Sequence, residues 1–233
     1  AFLLYRRNCT SKATNRKLKE LNERLHSLSL TDNLTGLHNR RYIDSRIDQD
    51  IAQALRTAQG NPEKILSFLI VDIDNFKRIN DTEGHHGGDL VLQEFSRRLK
   101  EALRESDILA RWGGEEFLVV APDSSMEGAR ELALRIVETI RNRPFLLEGR
   151  EFFLTCSVGY CGFPFSSENP TDLDWNEVVQ FADGALYEAK RAGKDRALGI
   201  LPGPSPLNKE GVRRVLQDPG KAERQGLILL APT

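Results

Sequence analysis

The distribution of apolar and polar positions predicts short strands and amphipathic helices along most of the chain. Residues 65–71 are apolar apart from one serine, which is the pattern of a strand buried inside a sheet. Two further apolar runs, 108–110 and 117–120, flank a polar segment with two glycines, which predicts a hairpin. Helices are predicted over residues 42–58, 75–80, 88–104, 127–141 and 176–192, with strands within 151–163 and near 196–201.

The order of these elements predicts an α+β fold, in which a central, mostly antiparallel sheet carries flanking helices on one face. Strands that alternate with helices and include one tight hairpin are typical of a ferredoxin-like palm domain. We expect this domain to occupy residues 31–201.

A leucine pattern precedes the predicted domain. Leu18, Leu21, Leu25 and Leu28 alternate spacings of three and four, with charged and polar residues between them. This is the pattern of a short parallel coiled coil, so residues 1–30 are predicted to form a signalling helix that pairs two copies of the chain. A single amphipathic helix packed on its own domain is the alternative over so few heptads.

The two ends of the chain carry weaker signals. Residues 1–5 are apolar and arginines follow, as at the cytoplasmic end of a transmembrane helix. This pattern predicts membrane attachment through a segment preceding residue 1, and a frayed chain end is the alternative. Residues 202–233 are punctuated by proline and glycine and are predicted to form a flexible tail.

The composition is that of an ordinary globular protein of 233 residues, with 39% hydrophobic and 29% charged residues. The formal net charge of -1 gives no overall field toward nucleic acid, so phosphate binding must depend on locally placed lysines and arginines. Cys9, Cys156 and Cys161 are an odd set without a Cys-x-x-Cys pair, which argues against a disulfide framework or a structural zinc site. A reducing cytoplasm is the simpler expectation.

The predicted hairpin carries the clearest chemical signal. Its tip reads Gly113-Gly114-Glu115-Glu116, in which the glycines allow a tight turn and a close approach of phosphate to the backbone. Asp72 follows the buried strand and is able to meet this tip. Mg²⁺ prefers oxygen ligands and takes several of them from phosphates, so Asp72, one or two glutamates and a nucleotide would complete a metal site.

Residues 113–117, Gly-Gly-Glu-Glu-Phe, resemble the signature of the GGDEF family of diguanylate cyclases in its GGEEF form. Further motifs of that family match in the same order, over residues 32–41, 72–81, 84–89, 182–190 and 193–194. The resemblance covers roughly residues 30–198, and several specific motifs in one order are not explained by chance.

The resemblance implies that two molecules of GTP are condensed into cyclic di-GMP with release of two pyrophosphates. It assigns metal binding to Asp72, the main-chain carbonyl of Ile73 and Glu116, with two Mg²⁺ or Mn²⁺ ions per half-site. Glu115 would lie nearest the attacking hydroxyl, as a base or as a further ligand. Asp74 fits a helix N-cap at least as well as a metal ligand and is left outside this set.

The resemblance also implies the contacts with substrate. Asn80 and Asp89 match the positions that bind the guanine edge, and a helix-cap role is the alternative for each. The other implied contacts are Phe76, Lys77, Gly114, Lys190 and Lys194. Lys190 and Lys194 would share one helical face if the helix continues to Gly193.

Arg104 and Asp107 form an Arg-x-x-Asp motif directly before the hairpin, at the family's spacing for an inhibitory product site. Arginine stacks on guanine and binds phosphate, while a carboxylate accepts hydrogen bonds from the guanine edge. Arg135 matches a secondary arginine of this site. A surface ion pair is the alternative for an isolated motif of this kind.

The sequence therefore predicts a product-inhibited diguanylate cyclase that works as a homodimer, in a cytoplasmic domain anchored to the bacterial inner membrane. No nucleic-acid partner is expected. One alternative is a catalytically silent receptor for GTP or cyclic di-GMP, although such members of the family typically lose the hairpin acids or the metal-binding aspartate. The other is a scaffold that only dimerises through its leading helix.

Overall fold

The apolar segment that follows Lys64 forms the central strand of the protein, Ile65–Ile73, and every side chain in it is buried. The structure is a computed structural model that describes residues 30–147, 149–166, 169–204 and 207–232. Side chains of a strand point alternately to opposite faces, so a strand that is apolar throughout must be covered on both faces. The predicted coiled-coil helix lies, except for residue 30, outside the described residues.

Up to residue 202, most of the helices and strands lie where the sequence pattern predicts them. The strands are β1 (His38–Asn39), β2 (Ile65–Ile73), β3 (Ile108–Gly113), β4 (Glu116–Ser124), β5 (Phe145–Leu147), β6 (Arg150–Phe152), β7 (Cys156–Phe163), β8 (Ala197–Pro202) and β9 (Ile228–Pro232). The helices are α1 (Arg40–Gly60), α2 (Phe76–Ala102), α3 (Met126–Arg141), α4 (Trp175–Arg191), α5 (Lys209–Gln217) and α6 (Pro219–Arg224). None of these helices is long and apolar enough to cross a bilayer.

Seven strands form one sheet in the order β1-β3-β4-β2-β7-β8-β9, and β5 and β6 form a separate hairpin. Only the β1–β3 and β7–β8 pairs of this sheet are parallel, so the prediction of a mostly antiparallel sheet is confirmed. The strand order β3-β4-β2-β7, with α2 after β2 and α3 after β4, is the ferredoxin-like arrangement.

Helices cover both faces of the sheet, which differs from the prediction of helices on one face. Leu69 and Val71 of β2 pack in a cluster with residues of α2 and α3. Phe68 and Ile70 point the other way and pack with residues of α1 and α4. The two helices on this second face lie outside the ferredoxin-like core, whose own two helices share one face.

Residues after β8 continue the fold, which corrects the prediction of a flexible tail over 202–233. Strand β9 pairs antiparallel with β8 over five residue pairs. Val212, Val215 and Ile228 are buried in the cluster that contains the inner face of α4. Helices α5 and α6 and strand β9 are too short for their apolar residues to show a clear period in the sequence. They hold their positions because they are buried against α4, which is distant from them along the chain.

Helix α2 is interrupted at Gly84, where φ is 71° and ψ is 174°. The helices predicted over 75–80 and 88–104 correspond to the two parts of α2 on either side of this break. Only glycine adopts this backbone conformation readily, so Gly84 allows one continuous segment to change direction.

Candidate active site

The end of β2 meets the tip of the β3–β4 hairpin, and this contact brings acidic residues together. Asp72 and Glu116 are direct cross-strand partners in the β2–β4 ladder. Gly114 and Glu115 form the turn between β3 and β4, and Gly114 has a φ of +30°. The three carboxylates predicted to act at the site therefore share one edge of the sheet.

Lys190, in the last turn of α4, reaches the same edge. Its Nζ lies 2.8 Å from Oδ2 of Asp72, whose side chain is only 7% exposed. The motif predicts Lys190 as a triphosphate contact, and the structure adds an ion pair with the predicted metal ligand. No local pattern relates two residues so distant along the chain, so this pair could not be predicted.

Burial and repulsion between like charges raise the pKa of the site carboxyls. Burial raises the pKa of Asp72 to about 6, Lys190 opposes this change, and Glu115 and Glu116 add to it. Burial also raises the pKa of Glu116, with a further contribution from the charge of Asp183. The site therefore holds more negative charge than its lysine neutralises.

Asp183 is an acidic residue near the site that is not among the predicted site residues. Neighbouring protein atoms partly desolvate the carboxyl of Asp183 and raise its pKa, although the residue keeps an exposed surface, and the charge of Lys190 opposes the change. The two residues lie about two turns apart on α4, which places them on the same side of the helix. That spacing, inside a matched motif, is the signal that could have identified Asp183.

Arg111 fixes the hairpin turn to the start of the domain. Its Nε and Nη2 donate to the carbonyl oxygen of Gly114 at 3.0 and 2.8 Å, and its Nη1 lies 3.2 Å from Oδ1 of Asp32. Burial would raise the pKa of Asp32, but hydrogen bonds from Thr35 and the charge of Arg111 hold it below its usual value. Two motifs that match separately in the sequence thus form one unit.

Asp74 is buried and its oxygens are occupied. It accepts hydrogen bonds from the hydroxyls of Thr155 and Ser157, both at 2.7 Å, and from the main-chain N–H of Asp195 at 3.0 Å. The N-cap of α2 is Asn75, so the interpretation of Asp74 as the cap is wrong. Leaving Asp74 outside the metal set agrees with its full complement of donors.

Lys77, Asn80 and Asp89, which are predicted to bind GTP, lie on the two parts of α2. Within the described ranges, the side chains of Lys77, Asn80 and Asp89 take part in no hydrogen bond or ion pair. The helix continues through Asn80 and Asp89, so neither is a cap. Their polar groups are available to a ligand.

Gly88 makes room for Asn80. A Cβ at position 88 would lie 2.0 Å from Oδ1 of Asn80 and 3.3 Å from Cζ of Phe76. Phe76 itself is buried in the core. The prediction of Phe76 as a substrate contact is therefore corrected for its side chain, and only its main chain remains available.

Lys194 lies beyond the helix that carries Lys190. Helix α4 ends at Arg191, and Lys194 has a φ of 63° in the turn that follows. Lys190 and Lys194 therefore do not share a helical face. The Nζ of Lys194 donates to Oδ1 of Asn75 at 2.6 Å, which places this lysine beside the start of α2.

Arg104 and Asp107 form a turn rather than an ion pair. The main-chain N–H of Arg104 donates to Oδ2 of Asp107 at 2.9 Å, and the Arg104 side chain is exposed. The Nε of Arg135 donates to the carbonyl oxygen of Ala102 at 2.8 Å. Both arginines therefore lie at the C-terminal end of α2, where Lys100, Arg104 and Asp107 line a surface pocket of about 210 Å³.

The donor set fits a metal ion that arrives with a nucleotide. Among the described residues, no three acidic, histidine or cysteine side chains are grouped closely enough to hold a metal ion by themselves. Asp72 and Glu116 supply two carboxylates with uncompensated negative charge. Mg²⁺ and Mn²⁺ accept such oxygen donors and complete their coordination with phosphate oxygens and water.

The fold and the site have counterparts among known proteins. Residues 29–196 match the family described as "Diguanylate cyclase, GGDEF domain". The chain belongs to the GGDEF family.

Two relatives show how much of a longer protein this chain represents. The diguanylate cyclase DgcP of Pseudomonas aeruginosa is 41% identical over 168 residues, which are 72% of this chain and 23% of DgcP. The response regulator PleD of Caulobacter vibrioides is 41% identical over 178 residues, which are 75% of this chain and 37% of PleD. The chain thus spans well under half the length of each relative.

A solved structure shares the fold. The coiled coil and GGDEF domain of DgcB from Caulobacter crescentus, crystallised in complex with c-di-GMP, aligns with a TM-score of 0.65 and 26% identity. The alignment covers 84% of this chain and 98% of that chain. The α+β fold class predicted from the sequence is therefore confirmed.

Proposed function

We propose that this chain is an active diguanylate cyclase domain that joins two molecules of GTP into cyclic di-GMP and releases two pyrophosphates. The meeting of Asp72 with Glu116 at a glycine turn, beside Lys190, carries the proposal. Membership of the GGDEF family and the named activity of DgcP support it.

The reaction forms two phosphodiester bonds. In each step a 3′-hydroxyl oxygen attacks the α-phosphorus of the other nucleotide, the bond to the pyrophosphate oxygen breaks, and the hydroxyl proton leaves to a base or to water. Glu115, in the turn itself, acts as that base or as a further metal ligand. Mg²⁺ or Mn²⁺, two ions per half-site, would lower the pKa of the hydroxyl and balance charge on the leaving group. Asp72, the carbonyl of Ile73 and Glu116 would hold the metal.

The nucleotide is bound by polar and charged groups around the hairpin tip and the start of α2. Asn80 and Asp89 supply a donor and an acceptor for the guanine edge, a combination that adenine does not match. Lys77, Lys190 and Lys194 provide positive charge for the triphosphate, to which an ammonium group binds as a point charge.

The regulation and assembly of the protein are part of the same proposal. Cyclic di-GMP binds at Arg104 and Asp107, with Arg135 nearby, and inhibits the enzyme from a site apart from the hairpin tip. Two copies of the chain form the working unit, with one GTP in each half-site. The domain lies in the cytoplasm and is held at the inner membrane.

Incubation of the purified chain with GTP and Mg²⁺, followed by chromatography and mass spectrometry, tests the activity. The expected products are cyclic di-GMP and pyrophosphate in a ratio of one to two. Glu116→Gln is the matched control, because it keeps the size of the side chain and removes its charge. GTP binding without turnover by the parent chain would favour the receptor alternative, and the absence of both would refute the proposal.

A further inference from the structure

Helix α4 is covered on most of its surface. Its apolar face is buried against the sheet. A second face is in contact with α6, since a Cβ on Gly184 would lie 2.9 Å from Cγ of Pro219. What remains open is a narrow stripe of exposed positions, Gln180, Asp183, Tyr187 and Arg191, at helical spacing. This stripe runs along α4 toward the site.

Tyr187 is the large aromatic residue of this stripe, and its side chain is 58% exposed. It precedes Lys190 by about one helical turn, and Lys190 contacts Asp72 of the site. No part of the proposed chemistry uses Tyr187. An exposed aromatic ring beside a charged site is a feature typical of the anchor residues of protein interfaces.

The ring of Tyr187 lies beside an arginine of the same helix. The guanidinium of Arg191 lies 5.7 Å from the ring centre, and Nη1 of Arg191 lies 3.0 Å from Oε1 of Glu188. Tyrosine and arginine are also the residue types most enriched among the residues that dominate binding energy at interfaces.

The proposed reaction indicates what covers this pair. In the described part of the chain there is one hairpin site and one pair of guanine-binding candidates, Asn80 and Asp89, whereas the product contains two nucleotides. The second nucleotide must therefore be presented by another copy, facing the first. Surfaces that border the site are then brought against the second copy.

We propose that Tyr187 and Arg191 form a contact with a second copy of this chain, which holds the two half-sites face to face. The inference rests on the proposed function, because it is the joining of two nucleotides that requires a second copy. Tyr187 acts here as a positioning residue: it sets the distance between half-sites and does not bind the nucleotide.

Cross-linking tests the proximity of the two copies directly. Tyr187→Cys is made in the full chain on a Cys9→Ser background, because the other cysteines, Cys156 and Cys161, are buried. A short bismaleimide is added with Mg²⁺ and 3′-deoxy-GTP, which lacks the attacking hydroxyl. Cross-linked dimer is expected for Tyr187→Cys and not for Leu229→Cys, a control of similar exposure on strand β9. Equal cross-linking of both variants, or none for Tyr187→Cys, would overturn the proposal.

Kinetics distinguish a contact between copies from a contact with nucleotide. Tyr187→Ala is expected to lower turnover at saturating GTP by about tenfold, the loss typical of an interface anchor. Affinity for 3′-deoxy-GTP should stay within about twofold, and Tyr187→Phe should keep most of the turnover because it keeps the ring. Weaker nucleotide affinity with unchanged turnover would assign Tyr187 to the nucleotide instead and sink the proposal.

Failure of the proposed function would give a different result from failure of the Tyr187 contact. A parent chain that makes no cyclic di-GMP refutes the cyclase activity, and the cross-linking experiment, which needs no turnover, still decides whether Tyr187 faces a second copy.

Discussion

Asp72 and Asp74 lie two positions apart where β2 ends, and both are almost fully buried, yet their surroundings differ. Asp74 accepts hydrogen bonds from two hydroxyls and one main-chain N–H. Asp72 contacts Lys190 and faces Glu115 and Glu116. Burial alone therefore does not identify a functional carboxylate. A carboxylate whose oxygens are filled holds the fold together, whereas one left with uncompensated charge is able to bind a cation.

The largest effect is expected from Asp72→Asn. Removing the charge should lower turnover by two or more orders of magnitude, because it deletes a ligand of the proposed metal ions. The free energy of unfolding should not decrease, since a buried and poorly compensated charge is removed. Cyclisation assays and urea unfolding measure the two quantities. If Asp72→Asn turned over at the parent's rate, Asp72 would not be a metal ligand and would not differ from Asp74 in function.

The converse change is Asp74→Ala. It leaves the hydroxyls of Thr155 and Ser157 and the N–H of Asp195 without their acceptor, so unfolding should become easier by about 3 kcal/mol. Turnover per folded molecule should change by much less than in Asp72→Asn. Chemical denaturation checks the stability. If Asp74→Ala were stable and inactive, Asp74 would belong with the metal ligands.

The pH dependence of Mg²⁺-supported GTP binding sharpens the comparison further. Only the ionised carboxylate binds metal, and burial raises the pKa of Asp72 to about 6. Affinity should therefore be steady above about pH 7 and fall by up to about tenfold per unit below pH 6, where protons compete. Calorimetry with 3′-deoxy-GTP measures this. A loss only near pH 4 would mean that Asp72 titrates like an exposed aspartate.

The same raised pKa has a consequence for stability in metal-free buffer. Because the pKa of Asp72 is higher in the folded chain than in the unfolded chain, ionisation of Asp72 opposes folding. The stability that protonated Asp72 contributes is therefore lost as the pH rises from about 4 to 6. Asp72→Asn removes this slope, which denaturation at several pH values would reveal.

The smallest effect is expected at Asp107. This residue accepts fewer hydrogen bonds within the protein than Asp74 does, and it is more exposed than Asp72. One of its oxygens accepts from the N–H of Arg104, and the side chain is half-buried. Asp107→Ala should relieve inhibition by cyclic di-GMP while costing only about 0.5 to 1 kcal/mol of stability. Product titration against initial rate measures the first effect. Undiminished inhibition would reduce Asp107 to a turn-forming residue.

Local patterns were sufficient for the parts of the site that are adjacent in sequence. The apolar run before Asp72 and the glycines before Glu115 predict a strand end and a hairpin turn, and these meet in the structure. Long-range contacts could not be predicted in the same way. The pair between Lys190 and Asp72, and the link from Asp32 through Arg111 to Gly114, depend on how distant segments pack.

The end of the chain shows the same limit for the fold. Its prolines and glycines favour a flexible tail, but Pro219 occupies the space that Gly184 leaves on α4. Nothing in the sequence around either residue predicts this contact. The order of residues 207–232 follows from this complementarity in shape and from the burial of Val215 and Ile228, not from their intrinsic propensities.

Strand β9 also determines which backbone groups the sheet exposes to other molecules. Residues 197–200 of β8 are buried, and without β9 their unpaired N–H and C=O groups would form an apolar free edge, the kind of edge that pairs with other chains. The edge that replaces it is five residues long and ends at Pro232, which has no N–H to donate. A chain shortened before Ile228 should therefore aggregate at concentrations where the full chain stays dispersed, as light scattering would show.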